Sequence, residues 1–140
     1  MDLFPTLLEE YDLSGAPGLD YLKKHIKENG KNNEHSLAVN GVSSHGGWDP
    51  LDDENCRPIM DVLHECLTDY NHKIGNYPAI VSGSWYNILP KGGYTDRHRH
   101  ESSVISGAFY LQLPEGDHGQ FYVCLLYTSD AADEPYRGGG

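Results

Sequence analysis

Helix-like patterns of apolar residues come first in this chain and strand-like patterns follow, and this order limits the fold more than any other feature. Apolar residues recur at helical spacing over residues 18–29 and again over 54–74. From about residue 79 onward the pattern changes to short runs of β-branched and aromatic residues, separated by turns at 90–93 and 114–119. Two helices followed by at least four closely spaced strands predict an α+β domain. Its sheet is expected to close as a sandwich or a partial jelly roll, with the N-terminal helices packed on it.

The segments around the first helix give weaker signals. Residues 3–13 mix apolar and polar positions and predict a short edge strand. Residues 31–53 are polar and rich in glycine, which predicts a long loop containing one short strand at 36–39. We expect Trp48 to anchor this loop on the core.

Charge and composition argue against several classes of partner. The chain has 140 residues and a formal net charge of −11, and such a surface repels nucleic-acid backbones and anionic lipids. No apolar run approaches the roughly 20 residues of a membrane span, and the first residues do not resemble a signal peptide. Three widely spaced cysteines predict a reducing compartment, the cytoplasm. Of these, Cys56 is predicted in a loop and Cys66 in the core.

The last seventeen residues, 124–140, differ in character from the rest. Neither periodicity continues through CLLYTSDAADEPYRGGG, and the eleven residues from Cys124 to Glu134 equal the translated transposon end of a sequencing-library adapter. We therefore expect this tail to be adapter-derived. Residues 1–123 are then expected to be the N-terminal part of one longer domain, inactive as a fragment.

Two histidines, His98 and His100, are the strongest candidates for chemistry. Residues i and i+2 of an extended segment point to the same side, so both imidazoles can converge on one metal ion. Imidazole is a common ligand of iron, zinc, copper and nickel. The pair alone is a weak signal in a chain with 8 histidines, and the alternative is a pair of exposed or hydrogen-bonded histidines on a polar loop.

A strand is predicted over residues 104–113, directly after the histidine pair. One of its faces is half polar, which suits a strand that lines a polar pocket, and this face carries Ser106, Ala108, Tyr110 and Gln112. The Tyr110 hydroxyl could donate a hydrogen bond to a ligand carboxylate. The alternative is a core tyrosine whose hydroxyl is satisfied within the protein.

The segment from Trp85 to Leu113 resembles the Fe(II)/2-oxoglutarate-dependent dioxygenases, in particular a branch common in marine phage and bacteria. The matching residues are Trp85, Asn87, Gly92, His98-Arg99-His100, Ser106-Gly107 and Phe109-Tyr110-Leu111, together with the opening LFPT. The resemblance implies a double-stranded β-helix and an oxygenase that hydroxylates an unidentified substrate in a bacterial or phage-infected cell. It also implies that His98 and His100 bind Fe(II), and that Tyr110 and Asn87 hold the small-molecule co-substrate 2-oxoglutarate.

The chain departs from the family pattern in two respects. First, the acidic ligand of the usual His-x-Asp or His-x-Glu motif is replaced by His100, and Glu101 lies on the opposite face of the extended segment. Second, the distal His and the Arg that binds the co-substrate lie later in the family, beyond the point where the adapter-like tail begins. His118, in the turn EGDHGQ, is a poor substitute for the distal ligand.

Two other functions fit parts of the pattern. A cupin has a glycine, five residues and then His-x-His, which Gly92, His98 and His100 satisfy, but it also needs a Glu where this chain has Val104 and Ile105. The other alternative is a non-catalytic binding or structural module on the same barrel, in which the histidines bind no metal.

Overall fold

The computed structural model describes residues 7–30, 37–100, 102–116 and 119–123. The described elements are, in chain order, α1 (Leu19–Asn29), β1 (Ala38–Val39), β2 (Val42–Ser43), two 3₁₀ turns (Pro50–Asp52 and Glu54–Cys56), α2 (Arg57–Ile74), β3 (Asn87–Ile88) and β4 (Tyr94–Thr95). The two helices lie where the sequence predicts helices. The first turn of the second predicted helix is a 3₁₀ turn that leads into α2.

Helix α1 is amphipathic and is bounded by glycine on both sides. It buries Leu22 and Ile26, which lie four residues apart and so share one face. Gly18 precedes the helix with a φ of 84°, a left-handed conformation that glycine adopts without a steric penalty. At the other end the Gly30 N–H donates to the carbonyl oxygen of Ile26.

Helix α2 begins with Pro58 in its first turn and ends at Gly75, whose φ is 126°. Ile59 on its first turn is completely buried. Within the described part of the chain, neither helix combines the length and the apolar character that crossing a membrane requires.

The burial of the two described cysteines is the reverse of the prediction. Cys56 is completely buried, whereas Cys66 is only partly buried, and both are free thiols. The reason is that the 3₁₀ turn carrying Cys56 contacts both α1 and α2, whereas Cys66, farther along α2, is not part of the core. Burial raises the pKa of Cys56 to about 11, so this thiol stays protonated and unreactive at neutral pH.

A small hydrophobic core joins the two helices to the later half of the chain. Its buried apolar members are Leu22, Ile26, Cys56, Ile59 and Tyr86. Partly buried apolar side chains pack around them, among them Trp48, Phe109 and Leu111. The prediction that Trp48 anchors its loop on the core is confirmed.

The strands form two short antiparallel ladders on either side of one turn. In the first, β1 pairs with β4, so that Ala38 lies opposite Thr95. In the second, β2 pairs with β3, so that Val42 lies opposite Ile88. Asn40 turns the chain between β1 and β2 with a φ of 55°, a conformation that asparagine tolerates better than most residues. Residues 37–39 are therefore paired with 94–96, and residues 42–44 with 86–88.

The predicted edge strand over 3–13 is wrong for the residues that the structure describes. Residues 7–13 form no strand and lie instead along α2, where the Tyr70 hydroxyl donates to the Leu7 carbonyl oxygen at 2.7 Å. Lys73 also forms an ion pair with Glu9 at 3.1 Å. These polar side chains of α2 bind the segment in place of a neighbouring strand.

The later strands are much shorter than the sequence predicts. In the strand-like run that begins at about residue 79 and ends before the turn at 90–93, only Asn87–Ile88 forms a strand, and residues 104–113 form no strand. A strand requires a hydrogen-bonded neighbouring strand. In the part of the chain that the structure describes, the segment 104–113 pairs with no other strand. Burial still alternates, because Phe109 and Leu111 are partly buried while Tyr110 between them is exposed. The described residues form no jelly roll, so the jelly roll stays a prediction.

Candidate metal centre

The ladder between β2 and β3 continues past its last strand residues. The Ser44 N–H donates to the Tyr86 carbonyl oxygen at 3.0 Å, and the Tyr86 N–H donates to Ser44 Oγ at 3.1 Å. One further step in this antiparallel register places His45 opposite Trp85, and the two rings meet edge to face with centroids 4.8 Å apart. The backbone pairing thus sets the position of both aromatic side chains.

The ladder between β1 and β4 brings the histidine pair to the same place. It continues to a hydrogen bond from the Asp96 N–H to the Leu37 carbonyl oxygen, 3.0 Å long, and His98 and His100 follow directly. The ends of the two ladders open on a cavity of about 240 Å³. Its lining consists of Leu37, Ala38, His45, Trp85, Asn87, Thr95, His98, Arg99 and His100.

His98 and His100 both line this cavity, with ring centroids 4.9 Å apart and planes at 79°. His98 Nδ1 lies 2.7 Å from the Asp96 carbonyl oxygen. Since a carbonyl only accepts hydrogen bonds, Nδ1 carries the proton. In the neutral ring this proton position leaves the lone pair on Nε2, which is the arrangement of a typical metal-ligating histidine.

The surroundings of His100 favour its neutral form. Its pKa is lowered first by partial desolvation of the ring and then by the neighbouring imidazoles of His98 and His45. A neutral imidazole is the form that binds a metal ion. Trp85 lies against the ring, with centroids 5.6 Å apart.

His45 is a third histidine of the cavity, and reasoning from the sequence missed it. It precedes the histidine pair by more than fifty residues, so no spacing rule connects the three. The register of β2 against β3 brings His45 to this cavity. The only sequence signal near it is the short strand predicted at 36–39, of which Ala38–Val39 is formed.

The two residues predicted to bind 2-oxoglutarate occupy different places. Asn87 lines the cavity beside the histidines. Tyr110 does not line the cavity, and 56% of its surface is exposed. Glu101 and His118 lie outside the described residues. The roles of Asn87 and Tyr110 stay predictions.

The donor atoms of the cavity suit a ferrous ion in part. Two imidazoles, those of His98 and His100, are ligands of the right chemical type for iron. Among the described residues, however, no group of three or more His, Cys, Asp or Glu side chains is placed to hold a metal ion. Within the described residues the cavity therefore offers two candidate ligands, His98 and His100.

Comparison with known proteins gives one match. Residues 83–129 match a family model described as "Putative 2OG-Fe(II) oxygenase". This segment is about a third of the chain and contains both His98 and His100. It also extends past Val123 into the tail for which the sequence predicts an adapter origin. No curated protein and no solved structure gives a significant match.

Proposed function

We propose that this chain is the metal-binding part of an Fe(II)- and 2-oxoglutarate-dependent oxygenase that hydroxylates a substrate still to be identified. The observation that carries the proposal is that His98 and His100 line one cavity, inside the segment that matches the oxygenase family. Either observation alone would be weaker, because many histidine pairs bind no metal and the matched segment covers only part of the chain.

The residues of the cavity divide into two groups by role. His98 and His100 bind the ion, with His98 oriented through its bond to the Asp96 carbonyl oxygen. Asn87 supplies polar contacts to 2-oxoglutarate from the cavity wall, and the two ladders hold these side chains in place. Bound iron supplies the oxygen chemistry, in which 2-oxoglutarate and O₂ yield succinate and CO₂ while a C–H bond of the substrate becomes C–OH.

The proposal includes the jelly-roll fold and a role for Tyr110. A jelly roll would place residues 104–113 in a paired strand, and the alternating burial around Tyr110 is the pattern such a strand would have. Tyr110 would then reach the co-substrate from the face opposite Phe109 and Leu111. The third ligand is expected from outside the described residues.

Anaerobic titration with Fe(II) in the presence of 2-oxoglutarate tests the proposal. We expect a visible charge-transfer absorption that saturates with one ion. His98→Ala and His100→Ala should each weaken binding by more than about 100-fold, because losing even an outer partner of a ligand costs 10–100-fold. His64→Ala, which removes an exposed histidine of α2, is the matched control and should bind as the wild type does.

Two outcomes would contradict the proposal. One is a wild-type chain that binds no ferrous ion, which would favour the non-catalytic module. The other is equal binding by the wild type and both cavity variants, which would place any metal elsewhere.

A further inference from the structure

The two imidazoles of the candidate metal centre are held in different ways. The ring of His98 is oriented by a hydrogen bond from its Nδ1 to the Asp96 carbonyl oxygen, 2.7 Å long. Within the described residues, the ring of His100 is instead held by other rings. His98 meets it edge to face at 4.9 Å, and Trp85 lies against it at 5.6 Å with the planes at 37°.

Trp85 also contacts the imidazole of His45. This edge-to-face contact, at 4.8 Å and 80°, links four rings in the order His45, Trp85, His100, His98. The position of Trp85 is set by its neighbours in the chain, since Tyr86 exchanges hydrogen bonds with Ser44. Ser84, the residue before Trp85, is also fixed, because its backbone N–H and its hydroxyl donate to the carboxylate of Asp49.

We propose that Trp85 is a positioning residue for His100 and that His45 supports Trp85 through their edge-to-face contact. This inference rests on the proposed function in one respect, because it takes the group that His100 binds to be a metal ion. A ligating imidazole that is already oriented loses less freedom when the metal binds, and a hydrogen bond usually provides that orientation. Here rings in tilted and edge-to-face contact provide it, and one of them, His45, comes from a segment outside the family match.

Metal affinity is the first measurement that tests the proposal. Co(II) is titrated into the full chain and followed by its visible absorption. Trp85→Leu should weaken Co(II) binding by about 10-fold or more, and the conservative variant Trp85→Phe should restore most of that loss. His45→Gln should weaken it by a few-fold, since Trp85 remains but loses its support. Trp48→Phe alters the tryptophan that packs on the core and should leave the affinity unchanged.

The imidazole NMR signals of the metal-free protein provide the second measurement. Trp85→Leu and His45→Gln should shift or broaden the ring signals of His100 more than those of His98. A purely structural role for Trp85 would predict weaker metal binding with no selective change at His100 and no rescue by phenylalanine, and that result overturns the proposal. Unchanged Co(II) affinity in Trp85→Leu overturns it as well.

The two measurements separate this inference from the proposed function. If His98→Ala and His100→Ala leave metal binding unaltered, the proposed function fails, while the His100 signals still show whether Trp85 positions the ring. Should Trp85→Leu fail to fold, His45→Gln decides the matter with Trp85 in place. Wild-type His100 signals in that variant would then contradict the proposal.

Discussion

At the scale of single residues, the position of His100 in the cavity lowers its pKa, and this bears on its ability to bind a metal ion. Partial desolvation lowers the pKa of His100, and His98 and His45 add to this because a neighbouring positive charge disfavours a second one. Both effects favour the neutral ring, which is the form that binds a metal ion.

The lowered pKa predicts how stability depends on pH. The ordinary pKa of histidine is 6.5, and that of His100 in the folded chain lies below it. As the pH falls below about 6.5, the unfolded chain takes up a proton that the folded chain resists, so stability is lost there. The free energy of unfolding stops falling once the pH is also below the pKa of His100 in the folded chain.

Urea unfolding between about pH 7.5 and pH 5 measures this effect. The wild type should lose more unfolding free energy over this range than His100→Gln, which has no proton to gain at that position. Equal losses in the two proteins would show that the fold does not disfavour the charged form of His100.

At the scale of elements, the close approach of β2 to β3 decides the shape of the site. Gly41, just before β2, faces the backbone of Ile88, where an added Cβ would lie 2.6 Å from the Ile88 carbonyl oxygen. Only a residue without a side chain allows the two segments to approach this closely. The same approach aligns Ser44 with Tyr86 and so places His45 opposite Trp85.

Gly41→Ala should therefore destabilise the chain by about 1–3 kcal/mol, since the added methyl group has backbone against it and cannot be accommodated by a side-chain movement. Gly107→Ala is the matched control, because a Cβ at Gly107 meets nothing within 4 Å. Its stability should equal or slightly exceed that of the wild type. Chemical denaturation measures both, and equal stability of the two variants would contradict the close approach at Gly41.

At the scale of the whole molecule, the buried core is small and unevenly distributed. Among the residues that the structure describes, four of the five buried apolar residues come from α1, the second 3₁₀ turn and α2, and only Tyr86 comes from the later half of the chain. Residues 102–116 contribute only partly buried side chains, such as Phe109 and Leu111. The helical half should therefore be the more stable part.

Hydrogen exchange should show this difference directly. We expect the amides of α2 to be protected more strongly than those of 104–113, whose side chains are at most partly buried. Equal protection of the two segments would contradict this expectation. Weaker but alternating protection over 104–113 would indicate the paired strand that a jelly roll requires.

Local patterns in the sequence were sufficient to predict several features. The helices α1 and α2 follow from apolar residues at helical spacing, since each helix makes its hydrogen bonds within its own segment. That His98 and His100 line one cavity is what their spacing of two in an extended segment predicts. The anchoring of Trp48 on the core could also be predicted, because a large apolar ring in a polar loop gains free energy by burial.

Tertiary structure alone decided the features that depend on pairing between distant segments. The lengths of the strands, the placement of His45 beside Trp85 and the burial of Cys56 rather than Cys66 all depend on which segments meet. The sequence around each of these residues is compatible with several partners. A strand or a shared cavity is completed by atoms far away along the chain, and only the folded backbone fixes which atoms those are.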